Sequence, residues 1–92
     1  PKIIFRLHAL QRMAERNISR EAIESVLQSG EEIENYPDDF PYPSKLLLGW
    51  DGGQPIHLVV AENMESDEWI VITAYIPDQA RWEAGFKRRR QR

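Results

Sequence analysis

Two histidines occur in the sequence, and each has neighbours that suit chemistry on a phosphate. The first begins the pattern His8-x3-Arg12-x3-Arg16, in which a spacing of four keeps the side chains along one stripe of a helix. Two guanidinium groups beside an imidazole can hold a phosphate and supply a proton carrier. The alternative is a solvated helix face on which Arg12 and Arg16 pair with Glu15 or with acids elsewhere.

The second histidine, His57, lies in a β-rich stretch at residues 56–61, and a second such stretch follows at residues 69–76. If both strands turn their aliphatic faces to the helices, His57, Thr73 and Tyr75 emerge together on the opposite face. That arrangement would place one imidazole and two hydroxyls in one site. The alternatives are a structural hydrogen-bonding role for His57 and packing roles for Thr73 and Tyr75.

A basic run closes the sequence, with Arg81 before it and residues 87–92 forming its core. Such a run attracts phosphates without regard to base sequence, so Arg81, Lys87 and Arg88 are candidate RNA contacts. It equally suits an acidic partner, or no partner at all. Trp82 is predicted to anchor a last helix in the core.

The net charge of −3 is unevenly distributed, because an acidic middle separates a basic start from a basic end. A general nucleic-acid coat protein is basic throughout, so this profile does not match one. The profile permits one local basic surface if the two ends of the chain meet in space.

Several classes of site are excluded by residues that the sequence lacks. Without cysteine there is no disulfide, no thiolate metal site and no cysteine nucleophile. Two distant histidines without an HExxH motif do not make a zinc site, and no Gly-rich loop or Gly-x-Ser-x-Gly motif is present. We therefore expect no metal and no cofactor.

Without a signal peptide or an apolar run long enough to span a membrane, we expect a cytoplasmic protein.

Metal-free cleavage of RNA is compatible with these residues, because the 2′-hydroxyl of RNA is an internal nucleophile. The reaction needs a base, an acid for the leaving 5′-oxygen, and cations around the phosphorus. His8 and His57 would be acid and base in either order, and Arg12 and Arg16 would hold the phosphate. Tyr75 would join them in catalysis, with Thr73 positioning the RNA.

The elements that must position these residues form a single α+β domain over residues 1–92. Apolar residues at helical spacing predict a first helix over about residues 7–16, with Leu7, Leu10, Ala14 and Ile18 as its apolar stripe. Ser19 and Gly30 are predicted to bound a second helix, so the first thirty residues are expected to form a helical hairpin.

The remainder is predicted to be an antiparallel β-meander of three to four strands, because the apolar period changes after Gly30. A weak strand at residues 31–36 and a proline-rich loop precede an apolar strand at residues 45–50. Asp51-Gly52-Gly53 predicts a hairpin to the strand containing His57. Asp78 is predicted to cap a short C-terminal helix, and residues 87–92 are expected to form a flexible basic tail.

The two histidines are hard to bring together in this arrangement. The first helix must bury its apolar stripe on the sheet, while His57 faces away from the helices. Both can share a site only at a sheet edge, or if the helix wraps around the sheet. Otherwise the site reduces to the helix group or to the strand group.

Four segments resemble a bacterial family catalogued as a domain of unknown function: residues 8–18, 26–31, 55–60 and 72–77, over a region of about residues 6–86. That family is grouped with RelE-like and barnase-like ribonuclease folds, and its members are often encoded beside an antitoxin with a YgiT-type (MqsA-like) zinc finger. The resemblance implies the toxin of a type II toxin–antitoxin module, acting as an mRNA endonuclease. Its expected partners are RNA, which it could meet on the ribosome, and a cognate antitoxin.

The motif positions that match are His8, Arg12, His57, Thr73 and Tyr75, with Arg16 next. The alternative is a non-catalytic module of the same fold that binds protein or RNA.

Overall fold

A computed structural model describes residues 1–91, which form two helices and a five-stranded sheet. The α+β class is therefore confirmed, whereas the prediction of three to four strands is too low. In chain order the elements are β1 (Lys2–Phe5), α1 (Leu7–Arg16), α2 (Arg20–Ser29), β2 (Glu31–Tyr36), β3 (Ser44–Asp51), β4 (Gln54–Asn63) and β5 (Glu68–Tyr75).

The strands lie in the order β1-β5-β4-β3-β2, and all neighbours are antiparallel except the first pair. The strand that the sequence analysis missed is β1, which pairs in parallel with β5 through partners such as Ile3 and Trp69. A purely antiparallel meander is thus wrong. The β1 segment is short and its partner is distant in sequence, so no local pattern marks it.

Both predicted helices are present, with local signals at their ends. Asn17 ends α1 in the left-handed conformation at φ 57°. The hydroxyl of Ser19 accepts a hydrogen bond of 3.0 Å from the backbone N–H of Ala22, so Ser19 is the predicted N-cap of α2. This bond satisfies a backbone N–H that would otherwise lack a partner at the start of α2.

The predicted buried stripe of α1 is wrong except at Ile18, which is buried. Leu7 and Leu10 are 69% and 47% exposed and Ala14 is exposed too, whereas Ala9 and Met13 are buried against the sheet. The helix starts directly after β1, so the pairing of β1 with β5 fixes which side of the helix faces inward. The small side chain of Ala9 then sits where α1 meets the sheet.

Gly49 is the point on β3 that lies closest to α2. A Cβ atom there would lie 2.4 Å from Cγ2 of Val26, which no real contact allows. We expect Gly49→Ala to lower the free energy of unfolding by about 1–3 kcal/mol, because the added methyl group forces the two elements apart. Urea unfolding would measure this loss.

Gly53 provides a matched control, since a Cβ atom there meets nothing within 4 Å. Gly53→Ala should change the free energy of unfolding by less than about 0.5 kcal/mol. Combining Gly49→Ala with Val26→Ala should give less than the sum of the two losses, because the clashing atoms are gone. Additive losses would contradict the close contact.

A β-bulge between β4 and β5 changes which side chains face the helices. Val59 pairs with Thr73 and Val60 with Val71, so Ile72 is an extra residue on β5. Before the bulge the predicted faces of β5 are therefore reversed. Strict alternation would place Ile70 on the same face as Ala74, towards the helices, but Ile70 pairs with Ala61 on the opposite face.

Residues 77–91, which we call the C-terminal segment, cross one face of the sheet. This face lies opposite the helices, and we call it the helix-free face. The predicted C-terminal helix is absent from the described part of the chain. Asp78 caps a single turn, in which it accepts from the backbone N–H groups of Ala80 and Trp82 at 2.9 and 3.0 Å. An antiparallel bridge then joins Trp82 to Arg89. Trp82 is buried, as predicted, but no helix carries it.

The basic tail contacts the rest of the chain over the residues that the structure describes. Lys87 pairs with Glu31 at 3.1 Å, and Nε of Arg90 donates to the carbonyl of Gln79 at 2.6 Å. Arg92 lies outside the described residues. Within residues 1–91, neither helix has the length and apolar character that a membrane crossing requires.

Candidate functional site

His57 lies on the helix-free face, with no solvent exposure. The flanking residues Ile56 and Leu58 point the other way, into the core beneath the helices. The His57 ring meets Tyr75 and Trp82 edge-on, with ring centroids 5.2 and 4.4 Å apart. The neighbouring strands therefore place His57 and Tyr75 together, and Trp82 of the C-terminal segment packs against His57.

The hydrogen bonds of His57 fix the tautomer of its neutral ring. Nε2 lies 2.8 Å from the carbonyl oxygen of Phe86, which can only accept, so Nε2 carries the proton. Nδ1 lies 3.1 Å from the hydroxyl oxygen of Tyr75 and, in the neutral ring, must accept. The Tyr75 proton is thus directed at an unprotonated imidazole nitrogen, which can receive it.

Phe86 holds its carbonyl in place through an uncommon backbone conformation. Its φ of 61° is left-handed, which is costly for a bulky aromatic residue, and Gly85 before it has a φ of 88°. Strained backbone of this kind concentrates at functional sites. Here it directs a carbonyl at His57 and places the Phe86 ring 6.2 Å from that of Trp50.

An ion pair joins the C-terminal segment to β2 on the same face. Nε and Nη2 of Arg89 donate to the two oxygens of Glu34 at 2.9 and 3.0 Å. The hydroxyl of Tyr36 donates to the same carboxylate. The Arg89 guanidinium also lies 4.6 Å from the ring of Trp82. We call Glu34, Tyr36, His57, Tyr75 and Arg89 the His57 cluster.

The pKa values in the His57 cluster depart from their ordinary values. Burial lowers the pKa of His57 and raises the pKa of Tyr75, so both groups are held in their neutral forms. The hydrogen bonds from Arg89 lower the pKa of Glu34, and in return they raise the pKa of Arg89. Burial, assisted by Glu34, raises the pKa of Tyr36. Clusters of perturbed groups are a mark of functional sites.

The lowered pKa of His57 predicts that stability declines as the pH falls through 6.5, the ordinary value for histidine. In that range the unfolded chain takes up a proton that the buried ring resists, so unfolding is favoured. Urea unfolding at about pH 7.5 and about pH 5.5 would show the difference. His57→Gln should abolish most of it, and His8→Gln should retain it. An unchanged pH dependence in His57→Gln would refute the prediction.

The helix group of predicted residues lies apart from His57. His8, Arg12 and Arg16 are exposed on α1, which packs on the other face of the sheet. The predicted shared site for both histidines is therefore wrong, because the sheet separates them. Arg12 pairs with Glu15 at 2.9 Å, the alternative raised for this stripe. Arg16 lines a shallow cavity of about 540 Å³ that also contains acidic side chains.

The strand group and part of the basic run lie on the same face of the sheet. Thr73 pairs with Val59 on the helix-free face, two residues before Tyr75. Arg81, Lys87 and Arg88 are exposed on the C-terminal segment that covers this face. The basic start and basic end do not merge, because α1 carries its arginines on the other side.

Sequence reasoning missed Glu34, Tyr36, Phe86 and Arg89. The available signal was charge complementarity, since the acidic residues 31–34 face the basic residues 87–89 in two ion pairs. No group of three or more potential metal ligands occurs among residues 1–91.

A comparison with protein-family models matches residues 5–76 to a domain of unknown function (DUF4258). The chain belongs to this family. No curated protein and no solved structure matches the chain. The matched region of the family contains His57, Tyr75 and Glu34, whereas the C-terminal segment with Phe86 and Arg89 follows it.

Proposed function

We propose that this family member is a metal-independent endoribonuclease whose active site is the His57 cluster. The observation that carries the proposal is the hydrogen-bonded pair of Tyr75 and His57 beneath a segment rich in cations. His57 has no exposure, but Tyr75 is partly exposed. Tyr75 is therefore the member of the pair that meets the substrate, and His57 acts through it.

The pair can carry the single proton that RNA cleavage must move. The ribose 2′-oxygen attacks the adjacent phosphorus, and the bond from phosphorus to the 5′-oxygen breaks. The 2′-hydroxyl proton passes to Tyr75 as the Tyr75 proton passes to Nδ1 of His57. The same groups then return a proton to the departing 5′-oxygen. The product carries a 2′,3′-cyclic phosphate, and both side chains regain their starting state.

The surroundings of the pair suit both charges that develop in this reaction. The Phe86 carbonyl at Nε2 and the nearby carboxylate of Glu34 favour the transient imidazolium of His57. Arg81 and Arg88 on the C-terminal segment are exposed cations available to the phosphate. Arg89 neutralises Glu34, so that carboxylate repels the RNA less.

Incubation of the purified chain with a synthetic single-stranded RNA in EDTA tests the chemistry. EDTA inhibits metal-dependent nucleases, so fragments with 2′,3′-cyclic phosphate ends would support the proposed mechanism. Adding ribosomes to a parallel reaction tests cleavage of ribosome-bound mRNA. An absence of cleavage in both reactions would refute the proposed ribonuclease activity.

The resemblance noted in the sequence motifs supports a cellular role as the toxin of a type II toxin–antitoxin module. Its antitoxin partner would then be a protein of the YgiT zinc-finger type. Expression of the chain in a bacterial host should arrest growth, and His57→Ala should relieve the arrest. Arrest that persists in His57→Ala would argue against the proposed active site.

A second candidate function is a non-catalytic module that binds RNA or protein. The observation that favours it is the complete burial of His57 under the C-terminal segment. In this case the His57 cluster serves only to fasten the segment, which presents Arg81, Lys87 and Arg88 to a partner. Binding of RNA without cleavage, with or without ribosomes, would select this function.

A further inference from the structure

Trp50 is the large aromatic side chain on the helix-free face that stays accessible beside the His57 cluster. It is 50% exposed, whereas Trp82 on the same face is 3% exposed. Trp50 lies two residues beyond Leu48, which pairs with His57, so its side chain emerges on the same side. Its exposed indole face is therefore available for contact with a ligand.

The Trp50 ring is held in position by the C-terminal segment. The Phe86 ring meets it edge-on, at 6.2 Å between centroids. The same residue, Phe86, accepts the hydrogen bond from His57, so one left-handed residue sets both the aromatic contact and the imidazole. From strand spacings, the backbones of Trp50 and Tyr75 lie roughly 12 Å apart, with two interstrand steps between them. A strand of RNA at Tyr75 can therefore reach Trp50 with a neighbouring nucleotide.

Cations directly follow the residue that supports Trp50. Lys87 and Arg88 directly follow Phe86, and Arg88 has no ion-pair partner among residues 1–91. The acids Glu31 and Glu34 on this face are already paired with Lys87 and Arg89. An aromatic ring beside cations is the recurring platform for single-stranded nucleic acid, since every base offers a flat face for stacking.

We propose that Trp50, supported by Phe86, is a base-stacking subsite for single-stranded RNA next to the Tyr75–His57 pair. This inference rests on the proposed function for the identity of the ligand, and it adds a binding site to that function. Trp50 stacks on the base of a nucleotide beside the cleaved one, while Arg88 approaches the backbone.

The test uses a single-stranded oligonucleotide with 2′-O-methyl groups, which has no nucleophile and stays intact. Fluorescence anisotropy gives its Kd for the full chain and for variants. Trp50→Ala should raise the Kd about tenfold, and Trp50→Phe should restore most of the affinity because it keeps an aromatic face. Phe40→Ala is the matched control, since Phe40 is 94% exposed in the loop at the other end of β3. It should leave the Kd unchanged.

An abasic oligonucleotide of the same length separates stacking from backbone contacts. Wild type and Trp50→Ala should bind it with the same Kd, because no base is present to stack. Equal affinities for the base-bearing oligonucleotide, equal losses on both oligonucleotides, or no binding by wild type would overturn the subsite. If the affinities for the base-bearing oligonucleotide are equal, Trp50 would instead be a contact for a protein partner.

The outcomes for the subsite and for the ribonuclease are distinguishable. Binding that depends on Trp50, without cleavage of unmodified RNA, keeps the subsite and removes the ribonuclease. Cleavage of RNA by Trp50→Ala with unchanged kcat/KM and unchanged Kd removes the subsite and keeps the ribonuclease.

Discussion

Replacing Tyr75 by phenylalanine should lower the rate of RNA cleavage by about 10²- to 10⁴-fold, the usual contribution of a positioned acid–base group. The ring and its packing remain, but the oxygen through which His57 exchanges protons with the substrate is lost. The Kd for 2′-O-methyl RNA should stay nearly constant, so the loss should lie in kcat. Single-turnover cleavage in EDTA measures the effect.

Tyr42→Phe is the matched control for this experiment. The hydroxyl of Tyr42 accepts a hydrogen bond of 2.9 Å from Asn63, at the other end of β4 from His57. Its loss should cost stability similar to that in Tyr75→Phe, about 1 kcal/mol, and leave cleavage intact. If both variants cleave RNA at the wild-type rate, Tyr75 is not the proton carrier. If both lose activity equally, the loss reflects stability.

The parts of the fold that sequence could predict are those with local signals. Ser19 caps α2 because its hydroxyl reaches a backbone N–H three residues on, which the sequence spacing already states. Gly52 takes a φ of 61° in the predicted turn between β3 and β4, where Asp51 pairs with Gln54. Each of these features depends on residues that are neighbours in the chain.

The parts that could not be predicted depend on contacts between distant residues. The pairing of β1 with β5 joins residues more than sixty positions apart, and it decides which side of α1 is buried. The bulge at Ile72 reverses the faces of the residues before it, although the sequence alternates smoothly there. The segment after Tyr75 forms a single helical turn, too short to be stable without tertiary contacts. Its bridge from Trp82 to Arg89 joins residues that no local sequence pattern marks as partners.

The candidate site divides in the same way. Strand alternation predicts that His57 and Tyr75 lie together, because both are in the part of β4 and β5 with regular pairing, beyond the bulge. Arg89 and Glu34 meet only because the C-terminal segment folds back over the sheet. His8 was joined to His57 by chemical suitability alone, and chemical suitability does not determine which face of the sheet a helix covers.

Trp82 should carry the largest single share of stability in the C-terminal segment. It is 3% exposed, meets the ring of His57, and lies beneath the guanidinium of Arg89. Trp82→Ala is expected to lower the free energy of unfolding by about 3–5 kcal/mol, since it leaves a large cavity. For a domain of this size that corresponds to a fall in Tm of more than about 12 °C. Thermal unfolding followed by circular dichroism would measure it.

Trp50→Ala is the matched control, because it makes the same substitution at a half-exposed position. Its fall in Tm should be less than half as large. Trp82→Ala should also weaken the dependence of stability on pH, because a loosened segment admits water to His57 and returns its pKa toward the ordinary value. If Trp82→Ala is no more destabilising than Trp50→Ala, the C-terminal segment does not hold His57. The Phe86 carbonyl would then not set the tautomer of the imidazole, and the proton path through Tyr75 would lose its support.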